Sequence, residues 1–230
     1  MKIYGKNCLN EAIRAGRKIQ EIYLLNNSKD NNFIQMCNDK RIKIKFLEKR
    51  DMDKLFGPQN QGYGAIVSDY LYSDLGIAKN KSDKRRIFLA LDGLEDPHNL
   101  GAIIRSCDAF SIDGIILPKN RSVGITETVA HVSTGAIEYV PIIMVNNLNN
   151  ALIELKENGY WVVGTDAHAE MEPKDIDKSL DLVVIIGSEG FGMSRLVVKN
   201  CDFMIKIPMT GHVNSLNASV SAGIIISMII

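Results

Sequence analysis

Leu182 to Arg195, LVVIIGSEGFGMSR, is the stretch whose reading decides the fold. It opens with a short apolar run ending in glycine, the pattern of a strand buried on both faces of a parallel sheet. Gly187, Gly190 and Gly192 then give a G-x-x-G-x-G spacing ahead of a helical segment. Glycines let a backbone approach a ligand closely. A flexible turn and a ligand-facing loop are both open readings here, and Glu189, set between two glycines, argues for the second. The spacing is not the dinucleotide fingerprint, which opens a βαβ unit and carries an acidic residue about 20 positions on.

Working outward, IFLALDG, GIILP, GYWVVGTD and FMIKIP are further apolar runs that end in Gly, Pro or Asp. AIIRSCDAF, NNALIELKENG and MSRLVVKN lie between them with helical character. Strands alternating with helices imply an α/β domain with right-handed crossovers, over residues 87–230. Residues 73–86, SDLGIAKNKSDKRR, are polar and charged and read as a linker. Residues 1–72 read as a smaller α/β unit. Its helices are expected over Asn10–Gly16, FIQMCNDK and DMDKLFG, and its strands over Glu21–Leu25, Ile42–Phe46 and GYGAIVSDYLY.

Composition narrows the function classes. The 230 residues carry 27 basic and 27 acidic side chains, so the chain is not built to coat nucleic acid non-specifically. Any RNA contact must come from local patches or a shaped site. Three basic clusters stand out: Lys2, Lys6, Arg14, Arg17 and Lys18; Lys40, Arg41, Lys43 and Lys45; and Lys79, Lys81, Lys84, Arg85 and Arg86. Solvated surface is the bland reading of any one of them. Cys8, Cys37, Cys107 and Cys201 are scattered, with no CxxC pair, which fits a reducing cytoplasm and no metal site. The first residues have no apolar signal region. The longest apolar run, GIIISMII, falls short of the roughly 20 residues of a membrane span. A cytoplasmic protein with no membrane contact is expected.

Two more segments sit just after strands, where parallel sheets hold ligands. In DGLEDPHNLGAIIRSCDAF, Asn99 is placed to cap a helix starting near Gly101, with Arg105 in its second turn. A cap and a surface arginine would be the bland account. In IKIPMTGHVNSLNASVSAGIIISMII, Ser215 or Asn217 can cap a helix of small residues whose apolar tail shows no polar face. Burial in a core or in a dimer interface would both satisfy that tail.

Taken together, NLGAIIR, IIGSEGFGMS and IPMTGHVNSLNASVSAGI resemble, in order, the three motifs of the SpoU/TrmH family of ribose 2′-O-methyltransferases. The resemblance runs from Phe88 to the C-terminus. IYGKNCLNEAIRAG and NQGYGAIV resemble the ribosomal-protein-like substrate-binding domain that precedes many members, the closest group being those that modify guanosine in large-subunit ribosomal RNA. Asn60 and Asn214 depart from the usual pattern. The resemblance implies a deep trefoil knot in the catalytic domain, a homodimer and S-adenosyl-L-methionine as methyl donor. It implies a catalytic set of Asn99, Arg105, Ser215 and Asn217. Gly187, Ile207 and Leu216 would cradle the cofactor, with Thr165, Glu189, Gly190 and Met209 as further candidates.

The chemistry this implies is an in-line displacement with a neutral leaving group. The ribose hydroxyl is the difficult partner, and the site must align it and handle its proton. With a guanidinium pKa above about 12, Arg105 is expected to act as a charge, gripping a phosphate and stabilising the ribose oxygen, rather than as a base. Competing expectations are a transfer-RNA substrate, a non-catalytic RNA-binding protein and a nucleotide-dependent oxidoreductase; the last lacks its glycine motif.

Overall fold

The computed structural model describes residues 1–80, 82–188, 190–212 and 215–230. Its elements begin β1 (Lys2–Tyr4), α1 (Lys6–Arg14), β2 (Ile19–Leu25), α2 (Asn31–Asp39), β3 (Ile44–Leu47), α3 (Lys49–Phe56) and β4 (Tyr63–Val67). There follow α4 (Gly76–Lys79), β5 (Ile87–Asp92), α5 (Pro97–Ala109), β6 (Gly114–Pro118), α6 (Glu127–Val132) and β7 (Ile142–Val145). The chain ends with α7 (Leu148–Glu157), β8 (Trp161–Thr165), β9 (Leu182–Gly187), α8 (Arg195–Asn200), β10 (Phe203–Ile205) and α9 (Ala218–Ile229). They divide into two units, one of Met1–Leu71 with Ile125–Tyr139 and one of Tyr72–Gly124 with Val140–Ile230.

The first unit holds a mixed sheet in the order β1-β4-β2-β3. β2 runs parallel to β3 and antiparallel to β4, which also pairs antiparallel with β1. A three-residue strand is too short to show a period, and β1 was not legible in advance. Helix α1 begins at Lys6, ahead of the expected Asn10, because Gly5 at φ 91 turns the chain directly from β1 into the helix.

Ile125–Tyr139, read above as part of the second domain, packs with this first unit. The His131 ring stacks on Tyr4 at 4.2 Å between centroids, and its Nδ1–H donates to Tyr4 O at 3.2 Å. Tyr139 donates to Glu11 at 2.7 Å. Arg17 meets Glu138 at 2.6 Å with both side chains at or below 8% exposure, and its second arm donates to Ser68 O. Removing one partner of a buried pair strands the other charge. Arg17→Ala is therefore expected to destabilise this unit by about 3–5 kcal/mol in urea unfolding. A loss below about 1 kcal/mol would show the pair to be solvated and dispensable.

The second unit holds a six-stranded sheet, β10-β8-β9-β5-β6-β7, parallel at every pairing. Its central strands are buried almost throughout, as continuous apolar runs require. Ser73–Arg86, expected as a linker, packs onto this unit. Its few apolar residues explain why: Ala78 is buried in the core, and Leu75 and Ile77 pack against it. The cations at its end are spent internally. Arg85 donates to Leu180 O and to Ile229 O in the last turn of α9, both at 2.9 Å, where a cation suits the helix dipole. Arg86 donates to Ile77 O at 2.8 Å.

Candidate active site

Most of the side chains expected at the site lie at or just beyond the carboxyl ends of parallel strands β8, β9, β5 and β10. After β9 the chain doubles back on itself. Ser188 and Gly192 exchange both backbone hydrogen bonds at 3.0 Å, with Gly190 at φ 89 and Gly192 at φ 64. Gly187 sits so close beneath this turn that a Cβ there would lie 2.4 Å from the Gly192 carbonyl carbon. The glycine spacing is thus a matter of both curvature and space.

After β5, Asp92 accepts the Ser194 N–H at 2.7 Å and ties this loop to the β9 loop. Helix α5 starts at Pro97, not near Gly101, because Asp96 caps it by accepting from His98 N at 3.0 Å and Pro97 fits the first helical position. Asn99 is therefore inside the first turn and is not a cap. It is 7% exposed, and its Oδ1 accepts from Asn217 Nδ2 at 2.9 Å. Asn217 in turn caps α9, its own Oδ1 accepting from Ser219 N at 2.9 Å. One amide thus joins the starts of two helices, and the cap role belongs to Asn217 rather than Ser215.

A cavity of about 190 Å³ lies among these loops. Thr165, Gly187, Ile207, Met209, Ser215 and Leu216, all expected at the site, line it together. Gly190 does not line it, and Glu189 lies outside the described residues. Thr165 donates to Ile185 O at 2.9 Å, which fixes its hydroxyl at the strand end. The backbone N–H groups of Ile207 and Leu216 make no hydrogen bond among the described residues. With Ile186 and Ile225 also in the wall, the lining offers apolar faces for a flat ring and backbone donors at its edge. Asp166, Lys206 and Ser221 line it as well and were missed. The strand end at GTD was a usable signal for Asp166, since ligands sit there in parallel sheets.

A second cavity, of about 580 Å³, shares Ser188 and Gly192 with the first and has Asn99 in its wall. Arg105 is exposed on α5 and lines neither cavity.

Most of the described side chains of the basic clusters bond within their own units; Lys81 lies outside the described residues. Lys6 pairs with Asp30 and Arg14 with Glu11, each at 2.6 Å. Lys45 and Lys43 flank Glu21 at 2.9 and 3.4 Å. Lys45 first, with Tyr23 and Lys43, holds the Glu21 carboxyl down at about 2. Lys2 and Lys40 donate to the carbonyls of Leu55 and Ile13, near the ends of α3 and α1. Lys49, Arg50 and Lys54 on α3 are exposed and make no ion pair among the described residues. They were not singled out in the sequence, where Asp51 and Asp53 mask them. Asn60, which departs from the family pattern, is buried and builds a turn: it donates to Asp53 at 2.8 Å and accepts from Gly62 N at 2.7 Å.

Among the described residues no group of three metal-ligating side chains occurs, and no helix is long and apolar enough to cross a membrane. Residues 86–227 match the SpoU rRNA Methylase family, and residues 2–73 match the RNA 2′-O ribose methyltransferase substrate binding domain. A protein of Staphylococcus saprophyticus, assigned to the TrmH family of tRNA/rRNA methyltransferases, is 46% identical, covering 96% of this chain and 92% of its own. The SpoU methyltransferase AviRb of Streptomyces viridochromogenes, solved with AdoMet, superposes with a TM-score of 0.84 at 21% identity, covering 100% of this chain and 88% of its own. An AdoMet-bound rRNA methyltransferase of Sinorhizobium meliloti gives 0.83 at 22% identity, covering 99% of this chain and 85% of its own. At such identities the two structures speak for the fold. The family matches and the staphylococcal relative decide the rest: this chain belongs to the SpoU rRNA methylase family and is an RNA methyltransferase of the SpoU/TrmH kind.

Proposed function

We propose that the chain transfers a methyl group from S-adenosylmethionine to a ribose 2′-hydroxyl, with a guanosine of large-subunit ribosomal RNA as the target. One observation carries this reading: five residues expected at the cofactor, with Ser215 of the expected catalytic set, line a single cavity beside the bonded pair Asn99–Asn217. S-adenosylmethionine, when bound, supplies a methyl on a sulfonium and departs as a neutral thioether. The chain's own residues do the rest. Ile207 and Leu216 would offer their backbone N–H groups to the adenine, and the apolar wall would exclude water from its faces. Gly187 keeps the loop tight against β9. Ser215 and Asn217 would orient the ribose or the methionine end, with Asn99 holding Asn217 in place. Glu189 belongs to the same proposal.

Arg105 would grip a backbone phosphate and stabilise charge on the ribose oxygen, staying protonated throughout. Because it lines neither cavity of its own chain, a second protomer or the RNA must complete the site. A homodimer through α9 is part of the proposal. Val220 in α9 and Ile230 just past its end are 48% and 44% exposed, and α9 has no charged residue. The knotted path of the family belongs to it too. In its support, Ile186, Gly187, Ser188 and Gly192 wall one cavity with Ile207, Met209, Leu216 and Ala218, although α8 and β10 lie between the two sets in the chain. The first 72 residues would bind RNA, with Lys49, Arg50 and Lys54 as phosphate contacts.

Tritium transfer from labelled S-adenosylmethionine into ribosomal and transfer RNA fractions tests the reading. The label is expected in 2′-O-methylated nucleosides of the ribosomal fraction. Label in a base, or in transfer RNA alone, would overturn the corresponding part. Sedimentation as a monomer at micromolar concentration would remove the dimer.

Asn217 offers a sharper test of positioning. Asn217→Asp keeps an N-cap acceptor, so stability should stay within about 0.5 kcal/mol, but it loses the donor to Asn99. Turnover should then fall by about tenfold to a hundredfold. Asn217→Ala should lose about 1 kcal/mol as well. Normal turnover in Asn217→Asp would make the amide link purely structural.

A further inference from the structure

The second cavity has walls that are built rather than incidental. Three loops bound it: Asp92–Asp96 after β5, the turn at Arg121 after β6, and Phe191–Ser194 after β9. Val123 N donates to Leu94 O at 2.9 Å, and Ser194 N donates to Asp92 at 2.7 Å, so each loop is pinned to the next.

Its lining carries two opposite charges that find no partner among the described residues. Glu95 and Arg121 are both exposed, and neither makes an ion pair or hydrogen bond among the described residues. Asp92 and Asp96 differ, each having given an oxygen to a backbone N–H. Arg121 is held at φ 59, a left-handed conformation uncommon for a non-glycine residue. Phe191, in the same wall, is 94% exposed. An aromatic ring left in solvent at a cavity edge is a platform on which a base can stack.

We propose that this cavity receives the base and phosphate of the nucleotide to be methylated, and that Glu95 selects a base presenting two adjacent donors. The inference rests on the ribose-methylation reading above and names what that site would choose. A ligand that satisfies a free cation, a free carboxylate and a stacking ring at once is a nucleotide. Its phosphate meets Arg121, its face meets Phe191 and its donor edge meets Glu95. An ionised carboxylate only accepts hydrogen bonds. Guanine sets N1–H beside its N2 amine, two donors side by side. Adenine and cytosine each set an amine beside a ring nitrogen acceptor, and uracil offers a single N–H between carbonyls. The ribose then falls near Asn99, which belongs to this wall and is bonded to Asn217.

The test uses the full chain saturated with S-adenosylhomocysteine, so that no nucleotide can take the cofactor cavity. Guanosine, inosine and adenosine 5′-monophosphates are titrated and followed by NMR. The guanine nucleotide should bind about tenfold tighter than the adenine one, with inosine, which lacks the N2 amine, between them. Glu95→Gln should bring the three affinities together. Arg121→Ala should weaken all three by a similar factor and keep their order, and Phe191→Ala should weaken all by about fivefold or more. Equal binding by the unaltered chain, a guanine preference that survives Glu95→Gln, or no nucleotide binding overturns the inference. Failure of S-adenosylhomocysteine itself to bind would instead bring down the methyltransferase reading.

Discussion

Arg105→Ala should lower methyl transfer by about a hundredfold to a thousandfold while cofactor affinity stays within about twofold. The two halves of that expectation come from different observations. Arg105 lines neither cavity, so deleting its side chain leaves the wall of the proposed cofactor cavity unchanged. Its proposed work begins only when RNA is bound and charge develops on the ribose oxygen, so the loss should appear in the chemical step. Arg105→Lys should fall between. A lysine keeps the charge but loses the planar fork that grips two phosphate oxygens at once. Single-turnover rates with saturating RNA separate this from weak RNA binding, and calorimetry with S-adenosylhomocysteine reports the cofactor. Near-normal single-turnover rates in Arg105→Ala would take Arg105 out of the mechanism and leave Ser215 and the amide pair as its candidates.

The parallel sheet was legible because its strands are buried on both faces. Such strands must be continuous apolar runs, and IFLALD and LVVIIG show that without help from neighbours. The glycine loop was legible because its spacing is dictated by local curvature and contact. What escaped the sequence depends on distance in the chain. Ile125–Tyr139 carries no composition change that would mark it as part of the first unit, because its partners, such as Arg17 and Tyr4, lie more than a hundred positions away. The polar stretch 73–86 looked like a linker because composition counts cations without knowing where they bond. Arg85 and Arg86 find carbonyls of the same unit, and three small or aliphatic side chains suffice to seat the segment. The basic clusters misled in the same way: a lysine beside a glutamate on the neighbouring strand reads as a free cation until the strands are paired.

The same distinction between local and distant causes makes Gly187 the most informative single position in the wall of the proposed cofactor cavity. Gly187→Ala is expected to weaken S-adenosylhomocysteine binding by about a hundredfold while the fold survives. The added Cβ would lie 2.4 Å from Gly192 C and 2.6 Å from Met193 N. Both are backbone atoms, which cannot rotate away as a side chain can. The turn must lift off β9, and Ser188 and Gly192, which belong to both cavities, must move with it. Strand β9 itself should persist, because Leu182 to Ile186 stay buried between β8 and β5. Gly190→Ala is the control. It sits at φ 89 with no atom within 4 Å of its added Cβ, so it pays the cost of a left-handed alanine, about 1–2 kcal/mol, without displacing anything. Cofactor binding should therefore survive Gly190→Ala and fail in Gly187→Ala, with both variants folded by circular dichroism. If Gly187→Ala binds S-adenosylhomocysteine normally, the close approach of the turn to β9 is not what shapes the cavity. If both lose binding equally, the loop acts through its flexibility instead of its fit.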